Sequence, residues 1–117
     1  MILFGHGSRD ALWRAPIEAV AERIAQEHPG LAVSCAYLEL CEPTLAQATA
    51  SLALQGVRHF TLVPMFLGTG RHAREDLPRL VEAMRAEYPG TDWQLQPAIG
   101  EDPRMTALMA QIATQAI

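Results

Sequence analysis

The chain has 117 residues, of which half are hydrophobic and 19% charged, with a net charge of −4. That composition excludes a disordered chain, and the acidic balance argues against broad nucleic-acid binding. No apolar run approaches the length of a membrane span. A chain of this size buries about two thirds of its unfolded surface, so one domain over residues 1–117 is expected, with no need of disulfides or structural metal.

Residues 1–4 form a short apolar run that Gly5-His6-Gly7-Ser8 ends. No basic segment precedes an apolar stretch there, so a signal peptide is not expected. Pro16 suits the first turn of a helix, where its missing N–H costs nothing. Ile17, Val20, Ala21, Ile24 and Ala25 follow at the spacing of an amphipathic stripe. Pro29-Gly30 stops that helix, and residues 31–40 read as a second strand. Pro43 opens a second helix with Leu45, Ala48 and Leu52 on one face, closed by Gly56. Residues 58–67 are a third strand, nearly continuous in apolar character, broken by Gly68-Thr69-Gly70. A third helix carries Leu77, Leu80, Val81, Met84 and Tyr88, and Pro89-Gly90 ends it. Residues 93–97 are a weaker fourth strand. Asp102 can cap a last helix with Pro103 at its first position and a stripe of Met105, Leu108, Met109, Ile112 and Ala116.

Strands alternating with helices predict an α/β fold, a small doubly wound parallel sheet with helices on both faces. The most apolar strands, the first and third, belong at the centre, and right-handed crossovers then give the order 2-1-3-4. In such sheets ligands bind at the carboxyl ends of the strands where the order reverses. That switch point falls between the first and third strands.

Two segments with the residues of a site meet there. Gly5-His6-Gly7-Ser8-Arg9-Asp10 follows the first strand, and Gly70-Arg71-His72-Ala73-Arg74 follows the third. Each sets a histidine among glycines and arginines in a loop. Glu39, a charge among apolar neighbours at the end of the second strand, flanks His6 on one side as His72 flanks it on the other. With strands about 4.8 Å apart, the three side chains are expected to converge. Glu42, one residue before Pro43, serves the helix start instead. His28 and His59 lack the glycine setting and read as structural or solvent-facing. All nine basic residues are arginine. Arg9, Arg71 and Arg74 make the edge locally basic and suit carboxylates or phosphates, which guanidinium groups grip bidentately. Arg14 and Arg79 read as ordinary helix surface. Two imidazoles and a carboxylate suit Fe, Co, Ni or Zn. Neither H-E-x-x-H nor G-x-S-x-G is present. Cys35 and Cys41 lie six apart in an extended stretch, too far to bridge, and read as reduced thiols of a cytoplasmic protein.

Leu3-Phe4-Gly5-His6-Gly7-Ser8-Arg9-Asp10, Tyr37-Leu38-Glu39-Leu40 with Pro43, and Val63-Pro64-Met65-Phe66-Leu67 running into Gly70-Arg71-His72 and Asp76-Leu77-Pro78 together resemble the CbiX-type sirohydrochlorin chelatases. The likeness covers residues 3–80 and is specific, because three segments match in order. It implies a chelatase lobe, like the family's short form, that inserts Co²⁺ or Fe²⁺ (Ni²⁺ in some relatives) into sirohydrochlorin for cobalamin or sirohaem synthesis. It implies His6 and His72 as metal-site histidines and Glu39 as the acidic partner, a position that varies among short relatives. No cofactor beyond the metal substrate is implied. The carboxylates of the tetrapyrrole would suit Arg9, Arg71 and Arg74, with Ser8 beside them, and Met65, Phe66 and Leu67 could supply an apolar wall. A broad flat ligand needs walls on more than one side. Larger relatives have a second lobe, so a homodimer is expected here. Two other readings stay open: a non-catalytic metal- or tetrapyrrole-binding module, and a phosphoryl-transfer enzyme with a nucleophilic His, which usually has Arg before that His where Gly5 stands here.

Overall fold

The computed structural model describes residues 1–115 and 117. The elements are β1 (Ile2–Gly5), α1 (Ala11–Glu27), β2 (Ser34–Tyr37), α2 (Leu45–Leu54), β3 (His59–Pro64), α3 (Arg71–Glu87), β4 (Asp92–Leu95), a 3-10 turn (Ile99–Glu101) and α4 (Pro103–Thr114). The four strands form one parallel sheet in the order β2-β1-β3-β4, as the apolar runs predict. β1 is central: Ile2 pairs with Ser34 on one side and Leu62 on the other.

Alternation along the strands divides the sheet into two faces. Ile2, Phe4, Ala36, Phe60, Leu62 and Trp93 point to one face, where they pack with Leu45, Ala48 and Leu52 of α2 and Leu77, Val81 and Met84 of α3. Phe60 and Trp93 stack there, centroids 4.5 Å apart. Burying each such large side chain contributes roughly 1.5–3 kcal/mol, so this layer is the main source of stability. The other face takes α1: the Cys35 thiol reaches the Ile17 carbonyl, and Trp13 lies over Tyr37. Leu3, Tyr37 and Val63 are buried on this face, but the helices contribute little. α1 and α4 contain no buried residue, and Leu108 and Ile112 are 47% and 57% exposed. Of the α1 stripe, Ile17, Ala21 and Ile24 are half-buried while Val20 and Ala25 are exposed. Ala116 of the expected α4 stripe lies outside the described residues.

Several boundaries differ from expectation. Pro16 is not in a first turn. α1 starts five residues earlier, where the Asp10 carboxylate accepts the Leu12 N–H at 2.9 Å and caps the helix, and Pro16 falls inside it. α2 is opened by Thr44, not Pro43: the Thr44 hydroxyl and Gln47 side chain form a reciprocal capping box. The strand expected over 31–40 is only Ser34–Tyr37, that over 58–67 is His59–Pro64, and that over 93–97 is Asp92–Leu95. β2 is short because the chain turns back after Glu39, with Leu40 at φ 69°, and the Tyr37 N–H then donates to the Pro43 carbonyl. Asp102 and Pro103 open α4 as expected. No helix among the described residues is long and apolar enough to cross a membrane.

Candidate functional site

His6 is the first residue beyond β1, Glu39 the second beyond β2, and His72 the second of α3, which follows β3. All three therefore sit at the carboxyl end of the sheet, and all three are exposed. The backbones of the first two are joined: the Glu39 N–H donates to the His6 carbonyl at 3.0 Å, next to a Leu38 N–H to Gly5 carbonyl bond of 2.9 Å. Gly7 makes this approach possible. Its φ is +103°, and a Cβ there would lie 1.8 Å from the Glu39 carbonyl oxygen. No other residue fits both the conformation and the space.

The rest of the His6 loop is pinned by polar contacts. The Ser8 hydroxyl accepts the Asp10 N–H at 3.0 Å, and the Ser8 carbonyl accepts from the Arg14 guanidinium at 2.8 Å. Arg14, read from the sequence as ordinary helix surface, is thus a brace of the loop. An arginine six residues past Ser8, in the helix that follows the Gly-His-Gly turn, is the signal the sequence offers.

The second loop leaves β3 with one more sheet bond, from the Met65 N–H to the Phe4 carbonyl at 2.7 Å. Phe66 then turns into the core, and the His6 imidazole stacks on its ring, with centroids 4.2 Å apart and planes 22° apart. Gly70 begins α3, so His72 lies in the first turn of a helix and not in a loop. Seven residues, 65–71, separate His72 from the end of β3. His72 is therefore reached through a loop and a helix start rather than directly from a strand end, and among the described residues no three or more His, Cys, Asp or Glu side chains form a ready-made metal cluster.

The arginines divide. Arg71 pairs loosely with Glu75 at 3.6 Å and is 83% exposed. Arg74 lines a shallow groove of about 200 Å³ with Thr69, Gln96 and Glu101, on the β4 side of the loop. Arg9, three residues beyond His6 in sequence, is exposed, and Arg79 pairs with Asp76 at 3.9 Å on the helix surface. Outside the site, Glu42 accepts from Gln47 at 3.2 Å near the start of α2. His28 caps the end of α1, and His59 pairs with Asp92 at 2.9 Å. Both cysteines are free thiols, and burial pushes the Cys35 thiol up. Tyr37 is 2% exposed, and its hydroxyl has no hydrogen-bond partner among the described residues. Burial first, then Cys35, Glu18 and Cys41, push its pKa up to about 12.

Comparison with known proteins gives this edge a context. The CbiX family model matches residues 1–116. The sirohydrochlorin cobaltochelatase of Methanopyrus kandleri is 36% identical over 81 residues, covering 69% of this chain and 57% of that protein. A solved CbiX protein of Marinobacter aquaeolei VT8, assigned to cobalamin biosynthesis, superposes with a TM-score of 0.86 at 36% identity, covering 98% of this chain and 93% of that one. The sirohydrochlorin chelatase SirB of Bacillus subtilis subspecies spizizenii, solved with cobalt, superposes with a TM-score of 0.82 at 25% identity, covering 97% of this chain and 49% of SirB. The aligned stretches span less than two thirds of the curated relatives' lengths. A match along nearly the whole sequence, on a sheet of the predicted order, makes the conclusion direct: the chain belongs to the CbiX family.

Proposed function

We propose that the chain is a sirohydrochlorin metal chelatase, a lyase-class enzyme that places a divalent ion, Co²⁺ or Fe²⁺, into the tetrapyrrole. The observation that carries this reading is the pair of histidine segments leaving the carboxyl ends of the adjacent central strands β1 and β3. The relatives named as sirohydrochlorin chelatases support the choice of substrate.

Insertion requires three things of the protein. The ion must be held while it sheds water, two pyrrole N–H protons must be accepted, and the macrocycle must be oriented. His6 and His72 are assigned the first two tasks, since a neutral imidazole either ligates or accepts a proton. Glu39, whose backbone is tied to that of His6, relays protons to solvent. Arg9, Arg71 and Arg74 bind the acetate and propionate groups, and the Ser8 hydroxyl donates to one of them while its oxygen accepts from Asp10. The Arg71–Glu75 pair is exposed, and such pairs are worth about 0–1 kcal/mol, so a substrate carboxylate displaces it readily. The metal is substrate, and no further cofactor enters the scheme. The active species is a homodimer, in which a second copy supplies the wall that an open sheet edge does not. The apolar exposure of Leu108 and Ile112 gives such contacts material. A cytoplasmic location fits the two free thiols.

The test is the absorbance change of sirohydrochlorin with Co²⁺, Fe²⁺ and Ni²⁺, against the spontaneous rate. Catalysed insertion of Co²⁺ or Fe²⁺ is expected. Tight binding of metal or tetrapyrrole with no acceleration would replace the enzyme by a binding module. For the dimer, sedimentation and specific activity are followed on dilution. A monomer with full specific activity refutes it.

A further inference from the structure

The imidazole of His6 is exposed, yet its ring is not free. It lies flat on Phe66, which is 4% exposed and part of the main core. A face-on stack has a particular chemical merit. The lone pair and N–H of an imidazole lie in the ring plane, so contact through the face fixes the ring's orientation and leaves both nitrogens at its edge for a metal ion or a pyrrole proton. A hydrogen bond would fix the ring by consuming one of them.

Phe66 is itself held from behind by a segment distant in sequence. Its carbonyl accepts the Gly100 N–H at 2.9 Å. Gly100 sits so close that a Cβ would lie 2.0 Å from the Leu67 oxygen and 2.4 Å from the Leu67 Cα. One residue on, Glu101 accepts from the Thr69 hydroxyl at 2.8 Å. The connection between β4 and α4 thus clamps residues 66–69 against the sheet, and Phe66 passes that rigidity to His6.

We propose that Phe66 is a positioning residue for His6 in metal insertion, and that Gly100 holds Phe66 in place. The proposal rests on the chelatase reading of His6. Neither Phe66 nor Gly100 touches the ion. Their contribution is to keep one imidazole orientation populated before substrate arrives, so that ordering it is not part of the barrier.

The experiment compares Phe66→Leu, Phe66→Tyr and Gly100→Ala with the parent, each checked for folding by circular dichroism. The first readout is proton NMR of the four imidazoles, with His6 assigned through His6→Gln. The His6 ring protons are expected upfield of the other three in the parent and in Phe66→Tyr, because they lie over an aromatic face, and unshifted in Phe66→Leu. The second readout is steady-state insertion of Co²⁺ into sirohydrochlorin. Phe66→Leu is expected to lower kcat about two- to tenfold, the orienting worth of one aromatic pair, with the KM for sirohydrochlorin nearly unchanged and kcat restored in Phe66→Tyr. Gly100→Ala leaves the core side chains intact and is expected to lose the upfield shift and lower kcat in the same way, which keeps the test open should Phe66→Leu not fold. An unshifted His6 in the parent, or Phe66→Leu with parental kcat, overturns the proposal and leaves the chelatase reading standing. A parent that does not accelerate insertion overturns that reading first, and the positioning role with it.

Discussion

Replacing Gly7 with alanine tests the joint between the His6 loop and the Glu39 loop. Two penalties add. At φ +103° an L-residue is strained by about 1–3 kcal/mol. The new Cβ also meets the Glu39 carbonyl oxygen at 1.8 Å, more than an ångström inside contact, and the atom it meets is backbone that cannot swing aside. Relieving the overlap separates the two loops and sacrifices the Glu39 N–H to His6 carbonyl bond, worth about 1 kcal/mol. Alanine recovers roughly 0.4–1 kcal/mol by restricting the unfolded chain. The net loss is about 2–3 kcal/mol, or roughly 10 °C in Tm for a domain of this size. Gly68→Ala is the control, since a Cβ there meets nothing within 4 Å, and its stability should stay within about 0.5 kcal/mol of the parent. Urea and thermal unfolding of both variants supply the measurement. A Gly7→Ala protein as stable as Gly68→Ala would refute the close approach, and with it the claim that Gly7 holds His6 and Glu39 together.

His6→Ala and His72→Ala are each expected to slow insertion at least about tenfold, roughly 1.4 kcal/mol in the barrier; folded variants with near-parental rates would remove both histidines from the site. Glu39→Gln should lower the insertion rate more than it weakens tetrapyrrole binding, as a group acting on the chemical step does, so an unchanged rate with poorer affinity would make Glu39 a binding residue. Tyr37→Phe should leave stability unchanged or raise it by about 1 kcal/mol, because the hydroxyl it removes is buried without a partner. The pH dependence follows from the same burial. The folded pKa of Tyr37 is raised from 10.0 to about 12, so the unfolded chain ionises first, and the parent loses stability as pH rises from about 10 to 12. Urea midpoints that fall as steeply in Tyr37→Phe over that window would show that another group is responsible.

The sheet is legible because burial on both faces makes the central strands the most apolar, and strands one and three are the most apolar of the four. Element boundaries are set instead by local competition that periodicity does not register. Pro16 has the chemistry of a first turn, but Asp10 supplies a side-chain cap upstream and the helix starts there. Gly68-Thr69-Gly70 reads as a loop, and most of it is; its last residue nonetheless serves as the N-cap of α3, which carries His72 into a helical turn. The candidate residues were legible as types in glycine-rich settings. Their mutual placement was not. Beyond Pro64 the path of the chain is set by Gly100 and Glu101, some thirty residues away, and no pattern within the His72 segment encodes that contact. The role of Gly7 was half legible. Its flanking His and Ser mark a turn, but the reason alanine is excluded lies on the Glu39 loop.

The same structure bears on how such an edge could work. Its backbone is preorganised: the Gly7–Glu39 contact and the Phe66–Gly100 clamp fix where two of the loops run. Its ionisable side chains are not, since no three potential ligands gather among the described residues. The proposed transfer of an ion sets its own demand on the ligands. An ion held with a Kd near 1 μM sits in a well of about 8 kcal/mol. Every ligand that deepens that well equally before and during transfer adds to the barrier for release once the site is occupied. One or two imidazoles hold a divalent ion long enough to strip some of its water, yet leave most of its coordination sphere to be taken over by four pyrrole nitrogens. A third ligand, if Glu39 or a second copy of the chain brings one, is useful only when it departs as the macrocycle arrives. A carboxylate on an exposed turn, free to leave the metal and take up a proton, meets that condition better than a third imidazole locked in a core.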